Sequence, residues 1–257
     1  MRTPDPLGAD LARGLDPVAL ARAVGLAPVG WQRDFLRSGA PRVALNCCRQ
    51  AGKSTMTAVL AVHAALYLPG SLVLILAPAE RQSIETFRKV AAYWRALDSP
   101  IGALAENQSA IELANGSRVI ALTGSESLRG YTAARLLVVD EAARVEDALY
   151  HAAAAMVAPT GGRVIAMSTP AGRIGWWWEA WESGRWERFE VPAGEVTPWL
   201  TPEFLAERRA EMGAAYYAQE YECRFIAAET AAFDPSLIDA AIDPEVTPWN
   251  DLIPASL

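Results

Sequence analysis

Four short runs of uninterrupted apolar residues recur along this chain: Val43-Ala44-Leu45, Leu72 to Leu76, Leu136 to Val139 and Val164 to Met167. Three end directly at a polar residue, Asn46, Asp140 and Ser168. Runs this short that do not alternate with polar residues suit strands buried on both faces, as in a parallel sheet covered by helices. Helical spacing fills the gaps from Met56 to Tyr67, stopped by Pro69-Gly70, and from about Arg81 to Leu97. Strand, helix, strand, helix in this order predicts an α/β chain with a mostly parallel central sheet flanked by helices. A hairpin is expected at residues 109 to 122, where Asn115-Gly116 separates Ile111-Glu112-Leu113 from Val119 to Leu122. Asp16 to Leu26 and Trp31 to Leu36 read as two short helices ahead of the first strand.

After residue 192 the texture changes. Pro192, Gly194, Pro198 and Pro202 mark a linker, and Thr201-Pro202-Glu203 starts a helix with a capping hydroxyl and a proline at the first position. Two helices, Pro202 to Met212 and Ala214 to Cys223, hinge at Gly213. The expected organisation is a core over 1–192 with an N-terminal helical segment, a small helical subdomain over 193–226, and an acidic tail or linker over 227–257.

Six of the seven net negative charges fall in residues 225–257, which hold Glu229, Asp234, Asp239, Asp243, Glu245 and Asp251 and no Lys or Arg. The rest of the chain is close to neutral, so a nucleic-acid contact would have to be a local patch. Cys47, Cys48, Cys223, His63 and His151 lack the spacing of a zinc site and read as buried thiols and isolated imidazoles. No apolar run approaches a membrane span, and Met1 to Pro6 shows no export signal, which makes the cytoplasm the expected location. Tryptophans cluster at Trp176, Trp177, Trp178, Trp181 and Trp186. Trp177 and Trp181 share a helix face, and core or interface packing explains the cluster better than base stacking.

In parallel sheets ligands collect where strands end, and three polar clusters fall there. Gly52-Lys53-Ser54 follows the first strand and opens a helix. That arrangement lets backbone N–H groups cradle phosphate oxygens, a lysine reach the β and γ phosphates, and a serine hydroxyl ligate magnesium. Only Lys53 and Lys89 are lysines, against 21 arginines, so a lysine kept here has a reason. Asp140-Glu141 ends the third run. Asp140 would hold Mg2+ and Glu141 would orient and deprotonate an attacking water. Ser168-Thr169-Pro170 ends the next strand, where hydroxyls can sense a γ-phosphate and pass on its loss.

Together these residues resemble the ATPase domain of the large terminase subunit, the viral DNA-packaging motor. The resemblance rests on Cys48-Arg49-Gln50-Ala51-Gly52-Lys53-Ser54, on Leu136 to Ala143 and on Met167 to Gly172. It extends to Trp31-Gln32, to Ala77-Pro78 with Gln82, and to Tyr217-Ala218-Gln219-Glu220-Tyr221, covering about residues 28 to 226. It implies a P-loop NTPase fold of the ASCE type, with the C-terminal helices as a lid. It implies a nucleotide site of Trp31, Gln32, Arg49, Gln50, Ala51, Gly52, Lys53, Ser54 and Thr55, and metal ligation by Ser54 and Asp140. Catalysis would rest on Lys53 and Glu141, with Ser168 and Thr169 coupling hydrolysis to motion. Arg129 matches a family position proposed as a finger on the neighbouring subunit's nucleotide, while Arg49 could act within its own subunit, and the sequence does not choose between them. The implied cofactors are ATP and Mg2+. The implied partners are double-stranded DNA, the portal protein and the small terminase subunit, in a homo-oligomeric ring, a pentamer by resemblance, with a monomer in isolation. No membrane partner is implied.

Two other readings share these motifs. One is the first RecA-like lobe of a superfamily 2-type helicase, which needs a second lobe that residues 227–257 would not supply. The other is a nucleotide-gated adaptor without turnover, against which Glu141 argues. Full-length large terminases also carry a ribonuclease H type nuclease, and no buried strand pair after residue 226 offers to mount its carboxylates, so residues 1–257 are expected not to cut DNA.

Overall fold

The computed structural model describes residues 6–122, 130–194 and 199–226. Its strands are β1 (Arg42–Cys47), β2 (Leu72–Leu76), β3 (Ala103–Glu106), β4 (Ala110–Leu113), β5 (Arg118–Ala121), β6 (Leu136–Asp140), β7 (Arg163–Ser168) and β8 (Glu187–Val191). They form one sheet in the order β3-β4-β5-β2-β6-β7-β1-β8. From β5 through β8 all pairings are parallel, and β3, β4 and β5 pair antiparallel.

Both faces of the sheet are covered, which explains the unbroken apolar runs. Leu136 and Val138 of β6 face one core with Val43, Leu45 and Ile165, and Leu137 and Val139 face a second with Ala44, Val164 and Ala166. Helix α4 (Lys53–Tyr67) fills the first face through Met56, Val59 and Leu60, flanked by Phe87, Val90 and Trp94 of α5 (Glu80–Ala96). Helices α6 (Asp147–Ala154) and α7 (Gly175–Glu182) cover the second. There Trp176, Trp177 and Trp181 are buried, and Trp176 lies flat on Tyr150 with ring centroids 3.7 Å apart. The Trp176 indole donates to the Val145 carbonyl at 2.8 Å. The tryptophans are core, as expected.

The hairpin forms as β4 and β5, but β3 extends it. Every residue of β3 is exposed, so no apolar pattern announces it. Strand β8 (Glu-Arg-Phe-Glu-Val) is equally silent, because on the sheet edge only Val191 is buried. Helix α1 (Pro6–Leu15) precedes α2 (Pro17–Ala23), whose cap Asp16 accepts from Val18 N–H at 3.0 Å, and α3 (Gly30–Arg37) leads into β1. Among the described residues no helix is long and apolar enough to cross a membrane. The three cysteines are buried and form no disulfide among the described residues, and burial pushes the Cys47 and Cys223 thiols well above their ordinary range, so those two are poor nucleophiles.

Helices α8 (Pro202–Glu211) and α9 (Ala214–Tyr221) start where the capping signals place them; Thr201 accepts from Phe204 N–H. They are tied back to the end of β1. Arg49 N–H donates to the Glu220 carbonyl at 3.0 Å, Ala193 N–H to Tyr221 at 2.7 Å, and the Asn46 amide to the Cys223 carbonyl at 2.8 Å. The acidic segment 227–257 and Arg129 lie outside the described residues.

Candidate active site

Strands β6, β7 and β1 end side by side, so Asp140, Ser168 and the loop after Cys47 meet at one edge. The loop turns on two left-handed residues, Gln50 at φ 60° and Gly52 at φ 89°. Glycine suits the second for a further reason, since a Cβ would stand 2.9 Å from Nε2 of Gln32 and displace that side chain. Gln32 supports the loop from below: its amide nitrogen donates to the Ala51 carbonyl at 3.2 Å and its oxygen accepts from Val29 N–H at 3.0 Å. Both ends of that side chain are thus used within the protein. Neighbouring Trp31 packs half-buried against the core, with its indole N–H enclosed and unbonded.

Lys53 opens α4 and is only 9% exposed. Its ammonium lies 3.6 Å from Glu141 Oε1. Ser54 Oγ donates to Asp140 Oδ2 at 3.2 Å, and Thr86 of α5 donates to the same oxygen at 2.8 Å. Asp140 Oδ1 accepts the Glu141 N–H at 2.9 Å. Burial drives the Asp140 carboxyl above the usual carboxylate range, against the pull of the Thr86 hydrogen bond and the Lys53 charge. Thr55 sits beside the Tyr93 hydroxyl.

Glu141 itself sits in the left-handed region, φ 50°, at the head of a 3-10 turn, Ala142–Arg144. A non-glycine residue held there stores strain, which clusters where side-chain aim matters. Its second oxygen accepts from Arg144 Nη1 at 2.9 Å. Arg144 Nη2 lies 4.0 Å from Glu220 Oε1. Arg49 closes the circuit by donating to Glu220 Oε2, a bond that raises the guanidinium's pKa further. Trp199 donates its indole N–H to the Gln50 carbonyl at 2.8 Å.

A cleft of about 420 Å3 opens between these groups, lined by Arg49, Gln50, Lys53, Gln82, Glu141, Arg144 and Thr169. Three cations against one carboxylate suit a polyanion, and the backbone N–H groups at the start of α4 add a partial positive charge. Ser54 and Asp140 are oxygen donors of the kind Mg2+ accepts when it takes one or two protein ligands and completes its shell with phosphate and water. No cluster of three or more His, Cys, Asp or Glu residues able to hold a metal exists among the described residues, so a cation here would depend on that shared shell. Ser168 Oγ and Asn46 Oδ1, on paired residues at the ends of β7 and β1, are buried without partners. Orphaned polar atoms at such a place fit a site completed by something else. The residues therefore fit a nucleotide and its magnesium.

Of the residues singled out in the sequence, Arg49, Gln50, Lys53, Glu141 and Thr169 line the cleft, while Ser54, Asp140 and Ser168, each next in the chain to one of these, do not line it. Gln32, Ala51 and Gly52 shape the loop. Thr86, Arg144 and Glu220 were not singled out as site residues. Thr86 had a signal, being a polar residue three positions after Ser83 on the buried face of a helix. Arg144 follows Glu141 by one turn, and Glu220 stands in the quoted Tyr217 to Tyr221 motif without its role being evident.

A sequence model of the family described as "Terminase large subunit, T4likevirus-type, N-terminal" matches residues 45–239. No curated protein matches the chain. The large terminase ATPase domain of Thermus phage P74-26 shares the fold at a TM-score of 0.71 and 22% identity, covering 80% of this chain and 97% of that one. The HK97 bacteriophage large terminase aligns at a TM-score of 0.64 and 14% identity over 83% of this chain and 55% of its own. A large terminase from a thermophilic bacteriophage, solved in complex with ADP, aligns at 0.63 and 10% over 80% and 52%. The chain spans about half the length of the latter two.

Proposed function

Because the chain belongs to the large terminase subunit family, T4likevirus-type, through the N-terminal part of that subunit, we propose that it hydrolyses ATP to drive double-stranded DNA into a procapsid. The observation that carries this reading is the meeting of Lys53, Ser54, Asp140 and Glu141 at the ends of neighbouring strands, with Lys53 3.6 Å from Glu141 and Ser54 3.2 Å from Asp140. The thermophilic bacteriophage relative, solved with ADP and with ATP-γ-S, supports the choice of ligand.

In this reading Lys53 and the loop N–H groups hold the phosphates, and Ser54 with Asp140 holds Mg2+. Bound Mg2+ would offset charge on the β and γ oxygens. Lys53 leaves Glu141 for the phosphate, and the freed carboxylate takes a proton from the attacking water. Arg49, or Arg129 of a neighbouring subunit, stabilises charge on the transferred group. Ser168 and Thr169 carry the change from the cleft into the segment after β7. Gln32 is assigned to support of the loop. Residues 193–226 serve as the lid and 227–257 as a linker. The portal protein, the small terminase subunit and a ring of five copies complete the motor in the host cytoplasm, and no DNA cleavage is assigned to residues 1–257.

The test is phosphate release with and without duplex DNA. Turnover raised by duplex without strand separation, and abolished by Lys53→Ala, supports the motor. Strand separation favours a helicase lobe, and nucleotide binding without turnover favours an adaptor.

A further inference from the structure

Glu220 poses an electrostatic problem that the proposed mechanism sharpens. Its side chain is 0% exposed, it sits on α9, and its nearest cation among the described residues is Arg49 of the loop. Its other oxygen, Oε1, has no hydrogen-bond partner there. A buried carboxylate stripped of its one hydrogen-bonded counter-charge is strongly unfavourable. If Arg49 is to turn towards a phosphate, another cation must replace it.

Arg144 is placed to do so. Its fork already splits between two carboxylates, with Nη1 bonded to Glu141 at 2.9 Å and Nη2 4.0 Å from the unbonded Oε1 of Glu220. The guanidinium is planar and rigid, so one group can donate to both acids at once. A shift of about 1 Å brings the second contact to charge-assisted hydrogen-bond length. Arg144 stands on the 3-10 turn that follows Glu141, whereas Glu220 belongs to the C-terminal helices. Closing this contact therefore ties the aim of the Glu141 carboxylate to the position of α9.

From this geometry we infer that Arg144 is a positioning residue. It takes over Glu220 when Arg49 departs, and so links closure of the C-terminal helices to alignment of Glu141. The inference rests on the ATPase reading above and deepens it. With a nucleotide bound, Arg144 bridges Glu141 and Glu220. Without one, Arg49 neutralises Glu220, and Arg144 holds Glu141 alone.

The experiment is a double-mutant cycle of Arg144→Ala and Glu220→Gln on the full chain. Thermal midpoints are read without ligand and with a saturating non-hydrolysable ATP analogue and Mg2+, beside equilibrium affinity for the analogue and steady-state turnover. Arg144 is 47% exposed and Gln is nearly isosteric with Glu, so both variants should fold. Should Glu220→Gln fail to fold, Arg144→Ala and Arg144→Lys alone carry the test through turnover and affinity. The Arg144–Glu220 coupling is expected to grow by about 2 °C or more when the analogue is bound. Arg144→Ala is expected to lower kcat about tenfold to a hundredfold and to weaken analogue affinity by a smaller factor, as misaligned catalytic groups do. Arg144→Lys, which keeps the charge but not the fork, should recover part of that loss. Normal analogue binding with coupling that stays flat, or an Arg144→Ala variant with unchanged kcat, overturns the inference while leaving the ATPase reading intact. An analogue that fails to bind the wild-type chain overturns both.

Discussion

The cleft at the ends of β1, β6 and β7 and the tryptophan-covered face under α6 and α7 both use unusual residues, yet they are built on opposite principles. In the cleft, charges share partners, Glu141 and Gln50 sit in strained backbone, and Ser168 and Asn46 keep unbonded polar atoms. Under α7 the Trp176 ring stacks on Tyr150 and its indole is satisfied by Val145, while the Trp177 indole N–H is buried unbonded. A region that must exchange partners during a reaction keeps its interactions incomplete, and a region that only holds the sheet completes nearly all of them. Substitutions in the first should therefore change turnover with little effect on stability, and substitutions in the second should do the reverse.

The largest effect should follow Glu141→Gln. Turnover is expected to fall about a hundredfold to ten-thousandfold, with ATP-Mg binding retained and the thermal midpoint nearly unmoved, because Glu141 acts on the water and not on the ground-state phosphates. Phosphate release and equilibrium binding measured side by side check this; near-normal turnover would break the comparison at its centre. Trp176→Ala is the mirror case. It should cost about 3–5 kcal/mol of folding stability through the lost ring contacts and the cavity left behind. Calorimetry should show the lowered midpoint, while turnover per folded molecule well below that midpoint stays close to wild type.

Thr86→Val probes the boundary between the two kinds of region. The buried Asp140 oxygen keeps Ser54 but loses its shorter hydrogen bond, a loss of about 1–3 kcal/mol in the metal-free protein. A Mg2+ titration of turnover should show half-saturation at an about tenfold higher Mg2+ concentration, since Thr86 orients a proposed ligand from behind. If stability falls while the Mg2+ titration is unchanged, Thr86 belongs to the packing and not to the site.

The smallest effect concerns His63, near the far end of α4 from Lys53. Its ring nitrogen lies 2.9 Å from the Gly14 carbonyl, and burial lowers its pKa below the ordinary 6.5. The unfolded chain takes the proton first, so stability is unaffected above that value and falls as pH drops from 6.5 towards the folded value. His63→Gln should flatten the midpoint against pH between about 7.5 and 5, by the equivalent of about 1 kcal/mol or less, without altering turnover at neutral pH. An unchanged acid limb would place that proton uptake elsewhere.

The strands of the sheet's centre were legible because burial on both faces leaves them wholly apolar, as in Leu72 to Leu76 and Leu136 to Val139. Strands β3 and β8 were not, because edge positions demand little of their side chains: β3 is exposed throughout and β8 buries only Val191. The loop chemistry was legible for a similar reason. Gly52, Lys53 and Ser54 are contiguous, and their work depends on local backbone direction more than on distant partners.

The sequence by itself determined the alternation of buried strands and helices, the loop that turns on Gly52, and the paired acids at the end of β6, since each is a local pattern with a local cause. Only the tertiary structure decided who answers those charges. Thr86 reaches Asp140 across 54 positions and Arg49 reaches Glu220 across 171, while Arg144, one turn from Glu141, gains its second carboxylate only because α9 is fastened to the end of β1. Chain spacing carries no trace of such pairings. They arise because a parallel sheet delivers the ends of strands far apart in sequence to one edge, and burial then obliges every charge left there to find a partner within a few ångströms.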